Sequence, residues 1–424
     1  MLFIDFIRAN KEKVTTAAKN KNRVIELDKI IVLDDKRREL IAQIQTLREE
    51  RNKISKEKFT EQIRERGREI KIQLKTSEEL LGKTEVELNK LLSYVPNIPL
   101  DEVPIGKDEK SNQQIKTWGN PTKFNFTPLS HIELGNKLNL IDLDRGTKTS
   151  GFRGYFLKNQ AAQLHLAVLF YTFNKLIQKG YTPLVAPAIA KGFAFFGSAH
   201  FPWGEPEVYK LNDEDAFLSG TAEVAVTALY ANEILNEKEL PKKMVAFSPC
   251  FRREVGSYGK DTQGLYRVHE FMKVEQVIIT NNILEQAISL HEELQNNTEE
   301  ILRELELPYR IMLMCTGETG EPQIKKYDTE VWMPSRESYG EVASNSILGD
   351  FQTRRLKIKY RKKDGSTEYC YYLNNTAIAS PRILIPLLEN HQQKDGSIHI
   401  PKALQPYLNL SEIKAAHKEK EHAR

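Results

Sequence analysis

The chain has 424 residues, 40% hydrophobic and 28% charged, with a formal net charge of +4. That length suits two or three domains rather than one, and a charge so near balance argues for a nucleic-acid partner only through some local basic surface. No apolar run approaches the roughly 20 residues of a membrane span, the opening Met1 to Ile7 is too short and too soon charged for a secretory segment, and Cys250, Cys315 and Cys370 neither pair at CxxC spacing nor form a disulfide framework, so a cytoplasmic, soluble chain without zinc or membrane is expected.

The first proline is Pro96, and everything before it reads as helix. Leu33, Leu40, Leu47 and Ile54 recur at heptad spacing, with Ile30 and Ile44 in the companion position and Arg37 and Arg51 filling it elsewhere. A second series, Ile63, Gly67, Ile70, Leu74, Ser77, Leu81, Thr84, Leu88, Leu91 and Val95, alternates steps of four and three. Both have the period of a coiled-coil seam. The break near Lys58-Phe59-Thr60 turns the second helix back on the first, giving an antiparallel hairpin over about residues 28–92 whose helices each run roughly 40 Å. Its tip, Arg48 to Lys75, is rich in Lys and Arg, set against six glutamates. A solvated helical surface and a nucleic-acid contact both fit that composition.

From Pro96 to about Pro121 a polar, proline-broken stretch reads as a linker with little core, so the expected division is 1–98 helical, 99–125 linker and 126–424 globular. Beyond it, Ala161 to Ile177 is a predicted helix, with Leu164, Val168, Tyr171 and Leu176 near one face. Met244 to Arg253 and Arg267 to Ile279 are predicted strands. Arg354 to Tyr360 and Glu368 to Leu373 are predicted to pair around the turn Lys363-Asp364-Gly365-Ser366. The fold class is α+β, an antiparallel sheet flanked by helices. Neither a Rossmann glycine pattern nor a P-loop is present.

The richest segment runs from Phe247 to Gln276. Strand alternation places Arg252 and Glu254 on one face of the first strand, and Arg267, His269, Phe271, Lys273 and Glu275 on one face of the second. Gly256, Gly259 and Gly264 lie in the intervening loop. Such a charged face suits solvent exposure. It also suits a polyanion site in which Arg252 meets a phosphate, Phe271 offers a flat platform and Glu254 meets a polar edge.

This segment resembles motif 2 of the class II aminoacyl-tRNA synthetases, and specifically of the seryl-tRNA synthetases: Phe251-Arg252-x-Glu254-x-Gly256-Ser257-Tyr258-Gly259, then His269-x-Phe271-x-Lys273-Val274-Glu275. Gly180-Tyr-Thr-Pro-Leu-Val-Ala-Pro187 resembles motif 1, whose proline lies at the family's dimer interface. Asn374 to Arg382, leading into Leu384 to Asn390, resembles motif 3. Glu341-Val342-Ala343-Ser344 resembles the family's Glu-x-x-Ser segment, and Thr221-Ala222-Glu223 its serine signature. The resemblance covers nearly the whole chain.

It implies a coiled-coil arm joined to a class II core, and a homodimer acting on ATP, L-serine and tRNA-Ser, with tRNA-Sec where a host has it. By the same resemblance, Arg252 would bind the α-phosphate and Arg382 the γ-phosphate. Arg253, Glu254, Arg267, Val268 and Phe271 would surround the rest of the nucleotide, and Glu341 and Ser344, flanking Val342 and Ala343, would hold Mg²⁺ with ATP. The serine pocket maps onto Thr221, Ala222, Glu223, Arg252, Glu275 and Thr376. The basic arm would grip the long variable arm of the tRNA. An amino-acid ligase acting on a carrier protein is the alternative, although such relatives lack the arm. His269 is a candidate base, with a structural hydrogen bond the favoured reading. Gly220 stands where many members have proline and Asn345 where many have cysteine. Pro386, falling inside the predicted motif 3 helix, is expected to kink it one turn after Arg382 and leave the Arg382 carbonyl short of its donor.

Overall fold

The structure is a computed structural model that describes residues 1–58, 60–255 and 264–414. Phe59 in the expected helical turn and Gly256 to Gly259 in the expected motif 2 loop lie outside the described residues. The chain divides into two compact units, Met1–Ile98 and Pro99–Arg424.

In the first unit two short helices precede α1 (Leu27–Ile54) and α2 (Glu61–Ser93), which lie antiparallel. Thr60 caps α2 by accepting the Ile63 N–H on its hydroxyl. The heptad positions form the seam: Ile44, Leu47, Ile70 and Leu74 bury together, and Ile30, Leu88 and Val95 join Ile7 and Val14 at the base. Asp34 breaks the apolar pattern. Its side chain is fully buried, yet Arg8, Arg37 and Arg38 each meet it at 2.7–2.8 Å. Burial opposes its charge, and the three guanidiniums more than offset that, holding the carboxyl below its ordinary range.

The second unit is built on an eight-stranded sheet: β1 (Gln113–Trp118), β2 (Thr182–Val185), β3 (Lys242–Phe251), β4 (Glu270–Thr280), β5 (Tyr309–Leu313), β6 (Lys325–Met333), β7 (Ser338–Gly349) and β8 (Tyr371–Ser380). Their spatial order is β1-β5-β6-β7-β8-β4-β3-β2. All neighbours are antiparallel except β2, which runs parallel to β3. Helices α3 (Asn159–Gln178) and α5 (Leu284–Glu304) bury Leu164, Val168, Leu176, Leu294, Ile301 and Leu302 with Val274, Ile278, Leu373 and Ala377 of the sheet. Among the shorter helices of this unit are α4 (Glu223–Ala228), α6 (Phe351–Leu356) and α7 (Leu384–Asn390).

Alternation along the central strands sorts their polar residues. Gln276, Asn345 and Asn375 point toward α5 and hydrogen-bond its carbonyls at Leu294 and His291. Their neighbours Glu275, Ser344 and Thr376 therefore face the opposite side. Asn345, the departure from the family pattern, sits on the helix side. A register shift between Val274 and Glu275 sets Glu275 opposite Thr376; bulges often re-aim side chains beside functional sites.

Four expectations need correction. The stretch read as linker supplies β1, an edge strand with every side chain exposed; its backbone bonds add a strand without the apolar alternation that would have betrayed it. The strand expected to reach Arg253 ends at Phe251, and Glu254 has φ of +55°, in the left-handed region, so Arg252 and Glu254 do not share a strand face. Arg354–Leu356 is helical rather than extended, because burial of Phe351 and Leu356 favours a short helix that Lys357 closes at φ of +55°. Pro386 lies in the first turn of α7, where an N–H has no intrahelical partner to lose, and the Arg382 carbonyl receives the Ile385 N–H at 3.1 Å.

Candidate active site

On the face of the sheet away from α5 lies a cleft of about 580 Å³. Its lining draws Arg252 and Glu254 from the chain after β3, Val268 from the approach to β4, Phe271 and Lys273 from β4, Glu341, Val342, Ala343 and Ser344 from β7, Thr376 from β8, and Arg382 just beyond it. Residues up to 130 positions apart in sequence thus face one space. The Arg252 guanidinium lies 5.4 Å from the centre of the Phe271 ring, a cation–π contact. At the other end Arg382 is held by the carbonyls of Tyr266 and Glu341, at 3.0 and 3.2 Å. Two guanidiniums lie over the Tyr266 ring, Arg382 at 4.6 Å and Arg336 at 4.5 Å from its centre.

Two cations with oxygen donors between them define the electrostatics. Glu341 is 45% exposed and lies 4.0 Å from Arg382. Packing opposes its charge, but Arg382, Lys326, Arg252 and Arg267 prevail and keep its carboxyl below the ordinary value. Asp328 pairs across the sheet with Ser344 and accepts from Lys326 at 3.1 Å. Burial, with Glu341 adding to it, pushes Asp328 up, and its Oδ1 has no hydrogen-bond partner among the described residues. The hard oxygens of Glu341 and Ser344 suit a divalent cation such as Mg²⁺.

Deeper in, Lys273 and Glu275 form a buried ion pair at 2.6 Å. Thr376 closes a triangle with them, its hydroxyl 3.1 Å from Lys273 Nζ and 3.2 Å from Glu275 Oε2. Thr221, Ala222 and Glu223 are buried where α4 begins. The segment before them is pinned to the end of β3 by the Phe251 N–H, which donates to Ser219. A Cβ at Gly220 would come within 3.1 Å of Arg252 Cγ, so glycine here lets Arg252 lie close. Burial pushes the Glu223 carboxyl up to about 7; Glu275 adds to that shift, while the Gln352 amide, Lys273 and Arg252 oppose it. Burial, with Arg252 and Lys273 nearby, pushes His200 down to about 4, leaving a neutral ring.

Of the residues singled out from sequence, Thr221, Ala222, Glu223, Arg253, Arg267, His269 and Glu275 are not part of the cleft lining. The Arg253 backbone is held by the Glu207 carbonyl. Arg267 instead reaches Glu254 at 3.3 Å, where Arg153 also arrives at 3.5 Å. His269 is tied through Nδ1 to the Arg252 carbonyl at 2.9 Å, the structural bond favoured for it. Sequence reasoning missed Arg153, Tyr266 and Gln352, and gave Lys273 no role. Lys273 was recoverable from its alternation with Glu275. Arg153 enters from a loop 101 residues before Glu254 and left no local signal.

An antiparallel sheet carrying two arginines over such a cleft is the core of a class II aminoacyl-tRNA synthetase: residues 207–391 match the family described as the tRNA synthetase class II core domain (G, H, P, S and T). Residues 1–99 match the seryl-tRNA synthetase N-terminal domain. The serine–tRNA ligase of Deinococcus radiodurans is 43% identical over 422 residues, covering 97% of this chain and 99% of that protein. That of Pseudothermotoga lettingae is 42% identical over 96% of this chain and 99% of its own length. The seryl-tRNA synthetase of Pyrococcus horikoshii, solved with ATP, superposes with a TM-score of 0.91 at 36% identity over 98% of this chain and all of that one. The cytoplasmic enzyme of Naegleria fowleri, solved with AMP, gives 0.87 at 31% identity, covering 98% of this chain and 99% of its own. The chain belongs to the seryl-tRNA synthetase family.

Proposed function

We propose that the chain activates L-serine with ATP and transfers it to the 3′ end of tRNA-Ser, working as a homodimer. The observation that carries this reading is one cleft holding Arg252, Arg382, Glu341 and Ser344 above a buried Lys273–Glu275–Thr376 triangle. ATP would lie along the cleft, with its base toward Phe271 and Glu254, its α-phosphate at Arg252 and its γ-phosphate at Arg382. Arg153 and Arg267 would orient Glu254. Among the described residues no three His, Cys, Asp or Glu side chains gather around a common point, so Mg²⁺ would be held by Glu341 and Ser344 together with phosphate oxygens. When bound, the ion supplies positive charge that offsets charge on the phosphates.

Serine would enter beneath the α-phosphate. Its carboxylate pairs with Arg252 and its hydroxyl with Glu275 and Thr376. Its ammonium falls to Glu223, since Glu275 already has Lys273 as its cation. The serine carboxylate attacks the α-phosphorus and pyrophosphate leaves. The terminal ribose hydroxyl of the tRNA then attacks the carbonyl carbon of seryl-adenylate and AMP leaves. No protein nucleophile is needed; positioning and charge stabilisation by Arg252 and Arg382 do the work. Alanine, lacking the hydroxyl, would leave Glu275 and Thr376 with unanswered polar groups and be rejected strongly.

Two surfaces support the partner readings. On the arm, Arg51, Lys53, Lys56, Lys58, Arg68 and Lys71 are exposed and have no ion pair among the described residues, in keeping with phosphate contacts to tRNA. On the core, Leu166 and Phe170 present one face of α3 to solvent beside Val185 of edge strand β2, which is 81% exposed. An apolar patch next to an open strand edge suits a second copy. No described helix is long and apolar enough to cross a membrane, in keeping with cytoplasmic work. The test is amino-acid-dependent ATP–pyrophosphate exchange followed by tRNA charging, with molar mass measured in parallel. Serine should support exchange and tRNA-Ser should be charged. Better exchange with alanine, glycine or threonine refutes the substrate. Transfer to a carrier protein in place of tRNA would establish the alternative ligase, and a monomeric mass would remove the dimer.

A further inference from the structure

Gln352 lies in α6, on the strand–helix connection that follows β7, and has no direct place in the cleft. Its side chain is fully buried, and its single nitrogen spans two acceptors: the Ser198 carbonyl at 2.8 Å and Glu223 Oε1 at 2.7 Å. A main-chain carbonyl can only accept, so the amide must present its NH₂ group to both; the orientation is dictated by the partners. The amide oxygen on the other side is buried without a hydrogen-bond partner among the described residues. Nitrogen satisfaction is thus complete while the oxygen goes unanswered, an arrangement that favours Glu223 at the expense of Gln352.

The groups around Glu223 make that bond matter. Glu275 of β4 repels its charge, Lys273 of β4 and Arg252 after β3 attract it, and the Tyr372 hydroxyl of β8 lies close enough to feel it. Lys273 is committed to Glu275. No cation contacts Glu223 among the described residues, so the Gln352 amide is the hydrogen-bond donor its carboxylate has. Ser198, the other end of the bridge, also meets His200 Nδ1 through its hydroxyl at 3.0 Å. One amide therefore ties the start of α4 to the chain segment that carries His200.

We propose that Gln352 is a positioning residue of the serine pocket, holding the Glu223 carboxylate, through the anchor at Ser198, where it receives the ammonium group of the amino acid. This rests on the assignment of Glu223 to the serine pocket. The effect should fall on serine and not on ATP, because among the described residues the Gln352 side chain makes no hydrogen bond to a residue that lines the nucleotide end. It should also depend on pH. Losing an amide donor makes a buried carboxyl harder to ionise, so the acid limb of kcat/KM for serine should move to higher pH.

The experiment is serine-dependent ATP–pyrophosphate exchange by the full-length protein across pH, for Gln352→Leu, Gln352→Glu and Glu223→Gln. Gln352→Leu removes the donor at similar volume. Gln352→Glu keeps the shape and sets a second carboxyl against the first, and it serves if the leucine variant fails to fold. For either variant KM for serine should rise about tenfold near neutral pH, the acid limb should move up by about one pH unit, and KM for ATP should stay within about twofold. Raising the pH should recover much of the loss in Gln352→Leu. Equal losses for serine and ATP, or a lower kcat with an unmoved acid limb, would overturn the proposal in favour of a purely structural role. If Glu223→Gln weakens serine strongly while both Gln352 variants behave as wild type, the bridge idea fails alone. If Glu223→Gln itself leaves KM for serine unchanged, the pocket assignment fails, and this inference with it.

Discussion

Glu223→Gln should make the ligand-free protein more stable in alkaline buffer while weakening serine binding. Burial raises this carboxyl from an ordinary value of 4.5 to about 7, and that gap corresponds to about 3 kcal/mol. The sign follows from which state ionises first. Below about pH 4.5 the group is neutral whether the chain is folded or not, and it contributes nothing. Between about pH 4.5 and 7 the unfolded chain ionises freely while the folded one resists, so the native state loses stability. Above about pH 7 both are ionised and the loss is constant. Glutamine cannot ionise, so it removes this term. Urea unfolding of both proteins at about pH 5 and about pH 8.5 gives two stability differences, and the pH-independent consequences of the substitution cancel between them. The difference should move by about 2.5 kcal/mol in favour of the variant at the higher pH. Saturating serine should stabilise the wild type and leave the variant nearly unmoved, because a ligand stabilises only the state it binds. Equal differences at both pH values would refute the reasoning: Glu223 would then ionise as freely in the fold as outside it.

Arg252→Ala should lower serine-dependent pyrophosphate exchange by at least about a thousandfold, since in the proposed arrangement one guanidinium serves both substrates, while tRNA affinity in a filter-binding assay stays near wild type. Excising residues 41–81 and closing the hairpin with a short turn keeps Ile30, Leu88 and the other base residues packed; exchange should persist and charging of tRNA-Ser should fall steeply, and retained charging would sink the arm's role. Replacing Arg51, Lys53, Arg68 and Lys71 by glutamine should raise KM for tRNA and reduce the slope of log affinity against log salt by up to about 0.7–0.9 for each phosphate left without its cation. Pro386→Ala should change stability by less than about 1 kcal/mol, measured by thermal unfolding, because the first turn of α7 has no donor bond at that position to restore.

Legibility varied with how local the cause was. The coiled-coil hairpin was visible in the sequence because its seam repeats every seven residues, and Ile44, Leu47, Ile70 and Leu74 do pack together. The same reading passed over Asp34, since nothing in the heptad announces that Arg8, from the first short helix, meets it. On the sheet, alternation put Lys273 and Glu275 on one side, where they pair. It failed at Arg252 and Glu254, because a strand pattern continues on paper past the point where the ladder stops. The helix at Arg354–Leu356 was missed because its cause, the burial of Phe351 and Leu356, belongs to the packed state.

What the sequence determined by itself was the set of chemical parts and their order. Periodicity yielded the helical arm and an α+β core, and the spacing of Arg252, Glu341 and Arg382 with Thr221, Glu223, Glu275 and Thr376 pointed to ATP and serine through family resemblance. The tertiary structure decided which of those parts face one another. It placed Asn345 toward α5 and Ser344 toward the cleft, gave Glu275 its cation, left Glu223 to an amide, and turned the supposed linker into an edge strand. The physical reason is common to all of these. Side-chain chemistry and short-range repeats are properties of neighbouring residues, whereas burial, ion pairing and carboxyl ionisation depend on groups that only the closing of the sheet brings within a few ångströms.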